Sequence, residues 1–113
     1  MDWIIKETVV CPKTGTAFAI ASTSTELQFI LWYRGDYFLH SGNIISTTSF
    51  GLVANGKLRN LHLLHVFSFS HALWCSLTRN LDCPGNTHPS IRHCPQRSGC
   101  RFKQCPYGVL LQH

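Results

Sequence analysis

The sequence predicts an α+β fold: a small antiparallel β-meander, one helix, and an irregular Cys/His-rich C-terminal tail. Three observations point there. Segments rich in β-branched and aromatic residues, punctuated by turn formers, occupy residues 1–56. A rough helical stripe runs from Lys57 to Leu77. Beyond it large apolar side chains become scarce, while Cys75–His113 holds five of the six cysteines. At 113 residues, the chain is expected to form one small α+β domain over 1–77, followed by a basic tail over 78–113.

The elements follow in order. Trp3–Val10 is heavy in β-branched and aromatic residues and reads as a strand. Pro12-Lys13-Thr14-Gly15 is a turn signal, and Thr16–Ser22 returns as the second strand. Leu27–Tyr33 is an almost continuous apolar run without a charge. Thr23-Ser24-Thr25-Glu26 before it fits a helix capping box, but the aromatic and branched content, the short length and the following Arg34-Gly35-Asp36 turn favour a strand. Tyr37–His40 is then the return strand of a hairpin. Gly42-Asn43 makes another turn, Ile44–Phe50 another strand, and Asn55-Gly56 a two-residue turn in which both positions tolerate positive φ. Over 58–77 a helix is expected from Leu58, Leu61, Leu64 (or His65), Phe69, Ala72 and Trp74, against the β preference of Val66, Phe67 and Phe69. From Arg79 onward, prolines and glycines break every pattern.

Charge is sparse and uneven. Only 13% of residues are Asp, Glu, Lys or Arg, against roughly 25% in a typical domain. Residues 1–36 carry a net −1 and residues 37–113 a net +6, and all seven histidines lie in the second part. A basic, acid-poor half attracts polyanions such as RNA, DNA or anionic lipid. The amino-terminal segment has no basic n-region and its apolar run is interrupted by Lys6 and Glu7, so an intracellular location is expected, with cysteines as thiols or metal ligands. No run reaches the roughly 20 apolar residues that span a bilayer. Leu61–Leu77 comes nearest and would support at most weak membrane-surface association or partner binding.

Zinc needs four soft or borderline ligands, and its binding could organise a tail that cannot bury a core. The stretch Cys94-Pro-Gln-Arg-Ser-Gly-Cys100-Arg-Phe-Lys-Gln-Cys105-Pro-Tyr-Gly108 resembles part of a CCCH zinc finger. That resemblance implies a zinc-organised module with Cys94, Cys100 and Cys105 as ligands, and Arg101, Phe102, Lys103 and Tyr107 as the basic and aromatic surface that binds single-stranded RNA. The family places its histidine where this chain has Val109; the first histidine after it is His113, which completes the candidate metal set. Enzyme signals are weak. Five acids give no local carboxylate pair, and metalloprotease, phosphate-loop and dinucleotide-loop motifs are absent.

The resulting expectation is a small basic non-enzyme without an assignable biochemical activity, a weakly folded product of a little-selected reading frame, because its local signals disagree with one another. The alternative is a zinc-stabilised nucleic-acid-binding module built on the Cys-rich tail.

Overall fold

The computed structural model describes residues 2–35, 37–49, 51–79, 81, 83–86, 94, 99–102 and 105–107. Seven strands precede one helix: β1 (Asp2–Cys11), β2 (Thr16–Ser22), β3 (Gln28–Gly35), β4 (Ile44–Thr48), β5 (Gly51–Ala54), β6 (Lys57–Leu58), β7 (Leu61–Ser68) and α1 (His71–Thr78), with a short 3-10 turn at Pro84–Asn86. All pairings are antiparallel, in the order β6-β5-β4-β1-β2-β3-β7. An antiparallel sheet with one helix is therefore present. It is two three-stranded meanders, β1-β2-β3 and β4-β5-β6, side by side rather than one continuous meander. β7 completes the sheet beside β3.

The connections roll this sheet up. β6 and β7 are its opposite edges, yet only residues 59 and 60 join them. Three Cα steps span at most about 11 Å, so the edges must meet and the sheet curls into a nearly closed barrel. Arg59 N–H donates to the Leu52 carbonyl at 3.0 Å, continuing the β5–β6 pairing up to the start of this link. Gly35 lies on the other side of it with φ +148°, and a Cβ there would collide with the Asn60 carbonyl oxygen. Only glycine fits the closure point.

The hairpin turns follow the turn chemistry. Gly15, at φ +69°, donates its N–H to the Cys11 carbonyl at 3.0 Å and closes β1–β2. Asn55 and Gly56, at φ 50° and 82°, close β5–β6. Thr23–Glu26 forms the β2–β3 turn: Glu26 N–H donates to the Thr23 carbonyl, and Thr23 Oγ1 accepts from Leu27 N–H.

Two layers of core explain the strands' unusual apolarity. Inside the barrel lie Ile5, Val10, Ala17, Ala19, Ala21, Leu31, Tyr33, Leu39, Ile45 and Ala54. Along β2 the inward alanines face large partners on β3: Ala17 opposite Tyr33, Ala19 opposite Leu31, Ala21 opposite Phe29. The narrow interior is filled by this small-against-large alternation. Outside, Val9, Phe18, Ile20 and Ile30 form a second cluster with Trp74 of α1. Every residue of β2 is buried as a result. A strand covered on both faces loses its alternation, which is why Leu27–Tyr33 reads as one apolar run. A bulge between Ile5 and Glu7 shifts the register. It lets Ile5 and Val10, an odd number of residues apart, both point inward.

Two expected elements are different in the structure. Tyr37–His40 is not a strand. The edge of β3 it would occupy is already paired with β7, so residues 37–43 instead cross the barrel end to reach β4, with Leu39 plugging the core. The helix expected over 58–77 is mostly strand: Leu61–Ser68 pairs with β3, and only His71–Thr78 is helical. The β preference of Val66 and Phe67 wins because β3 offers a hydrogen-bonding edge. The helix begins where Ser70 caps the Leu73 N–H.

The described part of the tail is docked by ordinary contacts. Cys83, Phe102 and Tyr107 pack against the barrel core. The Asn86 side chain accepts from Val10 N–H at 2.9 Å and donates to the Val10 carbonyl at 3.0 Å. It thereby occupies the part of the β1 edge that β4 leaves open. Most of residues 87–98 and 108–113 lie outside the described residues.

Candidate functional site

A cleft of about 410 Å³ opens at one end of the barrel. Its floor comes from Gly15 of the β1–β2 turn, Ala17 of β2 and Tyr33 of β3. One rim is the end of β3, with Arg34 and Gly35. Tyr37 and Phe38 from the β3–β4 crossover form one wall, and Arg101, Phe102, Cys105 and Pro106 from the tail form the other.

Each wall is held in place by the fold. Arg101 N–H donates to the Pro12 carbonyl at 2.8 Å, which pins the tail to the first hairpin turn. Phe102 is half-buried against the core, so its neighbour Arg101 is left exposed at the surface. On the opposite wall, the Arg59 guanidinium lies 4.3 Å over the Tyr37 ring, a cation–π contact that fixes the ring. Tyr37 also donates to Asn43 Oδ1. Phe38 stacks edge-on against Tyr107 at 5.3 Å. Beneath them, the Tyr33 hydroxyl accepts from Leu39 N–H at 3.1 Å. Burial pushes the Tyr33 phenol well above its ordinary range, so it stays neutral.

The described lining carries two guanidinium groups, Arg34 and Arg101, both exposed, and no carboxylate. Four aromatic rings surround them. Such an arrangement favours binding a negatively charged group beside an apolar one. It juxtaposes no nucleophile, base and orienting group.

The residues singled out from the sequence are distributed unevenly around this cleft. Arg101, Phe102 and Cys105 line it. Tyr107 stands behind it: its ring covers Gly85, where a Cβ would clash with it, and its hydroxyl donates to Asn86 Oδ1 at 2.6 Å. Cys94 and Cys105 are neighbours of Cys83, whose thiol is pushed up chiefly by burial. All six cysteines are free thiols. Among the described residues, no group of three or more His, Cys, Asp and Glu side chains could hold a metal ion. Lys103 and His113 lie outside the described residues. Sequence reading missed Arg34, Tyr37 and Phe38 as site residues, because Arg34-Gly35-Asp36 read as a plain turn. The available signal was the density of aromatic and basic residues between Tyr33 and Phe38.

Known proteins resemble this chain along nearly its whole length. A model of the IraM/PmrD family matches residues 1–75. The anti-adapter protein IraM of Citrobacter koseri is 52% identical over 109 residues, covering 96% of each chain. The anti-adapter protein IraM of Escherichia coli K12 is 29% identical over 109 residues, covering 96% of this chain and 99% of the relative. The crystal structure of E. coli PmrD superposes with a TM-score of 0.63 at 17% identity, covering 72% of this chain and 99% of that one. At that identity the likeness is one of fold.

These matches overturn both functional expectations from the sequence, the chain without assignable activity and the zinc-stabilised nucleic-acid module. Relatives share 96% of its span, and they are named anti-adapter proteins. The disagreement among local signals that suggested weak folding has a physical source in two-sided burial and a register-shifting bulge. No described helix is long and apolar enough to cross a membrane. By the family model and by its identity to the Citrobacter relative, this chain belongs to the IraM/PmrD family.

Proposed function

We propose that this chain is an anti-adapter: it binds an adapter protein and keeps that adapter from its task. The observation that carries this reading is the 52% identity to the Citrobacter koseri anti-adapter over 96% of both chains. Identity at that coverage includes surface as well as core positions. The mode of action is occupancy rather than turnover, in keeping with a site whose described lining holds guanidinium groups and aromatic rings and no catalytic constellation. The reading places the chain inside the cell, where six free thiols stay reduced.

Two surface features suit a protein partner. One is the cleft. The other is the uncovered part of the barrel's outer face, where Ile4 and Ile44 are directly paired across β1 and β4 and are 41% and 47% exposed.

The test is competition. The purified chain is titrated against the adapter that the Citrobacter relative opposes, with that relative labelled and already bound. Stoichiometric displacement is the expected result. Failure to displace it, with no direct binding by calorimetry, would refute the reading.

A further inference from the structure

We propose that the Arg34/Arg101 cleft is an anchor site for an acidic segment of the partner protein. A partner carboxylate engages the guanidinium groups, and its apolar neighbour lies against Phe38 and Phe102. The inference rests on the anti-adapter reading only in taking the partner to be a protein.

Four observations carry it. First, the two cations come from chain segments far apart in sequence, the end of β3 and the tail, and the fold brings them to one cleft. The N–H of Arg101 bonded to the Pro12 carbonyl holds that register. Second, both are arginines, whose planar fork matches carboxylate geometry better than a lysine point charge does. Third, Tyr37, Phe38 and Phe102 are half-buried walls. Apolar walls exclude water and strengthen an ion pair formed between them. Fourth, the chain is net +5, so its long-range field attracts an acidic partner surface.

Size decides the kind of ligand. A cleft of about 410 Å³ accommodates one or two side chains and not a folded surface. An extended or loop segment with an acidic residue beside an aliphatic or aromatic one fits it. The rest of the interface lies outside the cleft, so the cleft contributes specificity and a share of affinity.

Two measurements test this. In the first, affinity for the adapter opposed by the Citrobacter relative is measured for wild type, Arg34→Glu/Arg101→Glu, Arg34→Lys/Arg101→Lys, and Arg79→Glu, an exposed site at the end of α1 outside the cleft. The double reversal is expected to weaken binding by about tenfold or more, with a shallower salt dependence. The lysine pair should lose part of the affinity, and Arg79→Glu should change it less than about twofold. Arg34→Gln/Arg101→Gln replaces the reversal should that variant not fold. Wild-type affinity in a folded double variant overturns the anchor while leaving the anti-adapter reading intact.

In the second, a hexaglutamate peptide is titrated while the arginine side-chain Nε–Hε resonances are followed by NMR. Saturable shifts at Arg34 and Arg101, absent with hexalysine, are expected. No shift at either, or stronger saturation by an oligouridylate, overturns the proposal. This arm decides the matter even if wild type does not bind the adapter, an outcome that would refute the anti-adapter reading alone.

Discussion

Asn86 substitutes for a strand. Its amide forms two hydrogen bonds to the backbone of Val10, and the Tyr107 hydroxyl, 21 residues on, completes the acceptor's set. Asn86→Ala leaves a Val10 N–H and C=O without their partner. A loss of about 1–3 kcal/mol is expected in urea unfolding, whereas Tyr107→Phe should cost only about 0.5–1.5 kcal/mol. Equal losses would mean the Tyr107 hydroxyl is essential to the clamp. Gly35 is constrained differently, since a methyl group at φ +148° meets the Asn60 carbonyl. Gly35→Ala should destabilise by more than about 1 kcal/mol from backbone strain alone, read from the same transitions. The tyrosines set an alkaline limit. Burial raises both the Tyr33 and the Tyr107 phenol above the ordinary 10.0. The unfolded chain therefore releases these protons first. Their contribution to stability is complete below pH 10.0 and is lost progressively as pH rises toward the folded-state values. Tyrosinate absorbance from these two residues should appear together with loss of near-ultraviolet circular dichroism. Ionisation in a fully folded protein would contradict their burial.

At the scale of elements, α1 is too short to be stable by itself. Eight residues are below the length at which an isolated helix persists. It holds through the Ser70 cap and through Trp74, which is 8% exposed against Val9, Phe18, Ile20 and Ile30. Trp74→Ala should cost about 3–5 kcal/mol. It should also expose the outer cluster, detected as increased dye binding. A loss below about 1 kcal/mol would mean the helix is not what covers this face. The strands it covers form the barrel's most protected unit. β2 is buried throughout and lies between β1 and β3. In hydrogen exchange, β2 and β3 amides should therefore exchange last, and those of the two-residue edge strand β6, exposed at both positions, among the first. Reversal of that order would indicate that the two meanders unfold independently.

For the whole molecule, the decisive event is closure: a seven-stranded sheet whose edges are tied by residues 59–60, with part of its outer face covered by a helix. Closure places the β3–β4 crossover and the tail around one barrel end, and that is where the cleft forms. Local chemistry was readable from the residues themselves. Pro12–Gly15 and Asn55-Gly56 announced their turns, and the β-branched runs announced β1, β2 and β4, because such preferences act over two to ten residues. The edge pairing that turned Leu61–Ser68 from helix to strand was not readable, since it depends on β3 having an unoccupied side. Nor was the docking of Cys83, Phe102 and Tyr107, whose apolar partners lie in the barrel rather than in the tail's own sequence. For the same reason Arg101 and Phe102 stood out on composition, while Arg34, Tyr37 and Phe38 did not. Alone, the sequence determined an antiparallel β-rich chain with its positive charge in its later part. Only tertiary structure decided which strands meet, which face each buries and which cations share a cleft. Those outcomes are contacts between distant residues, and no local propensity encodes them.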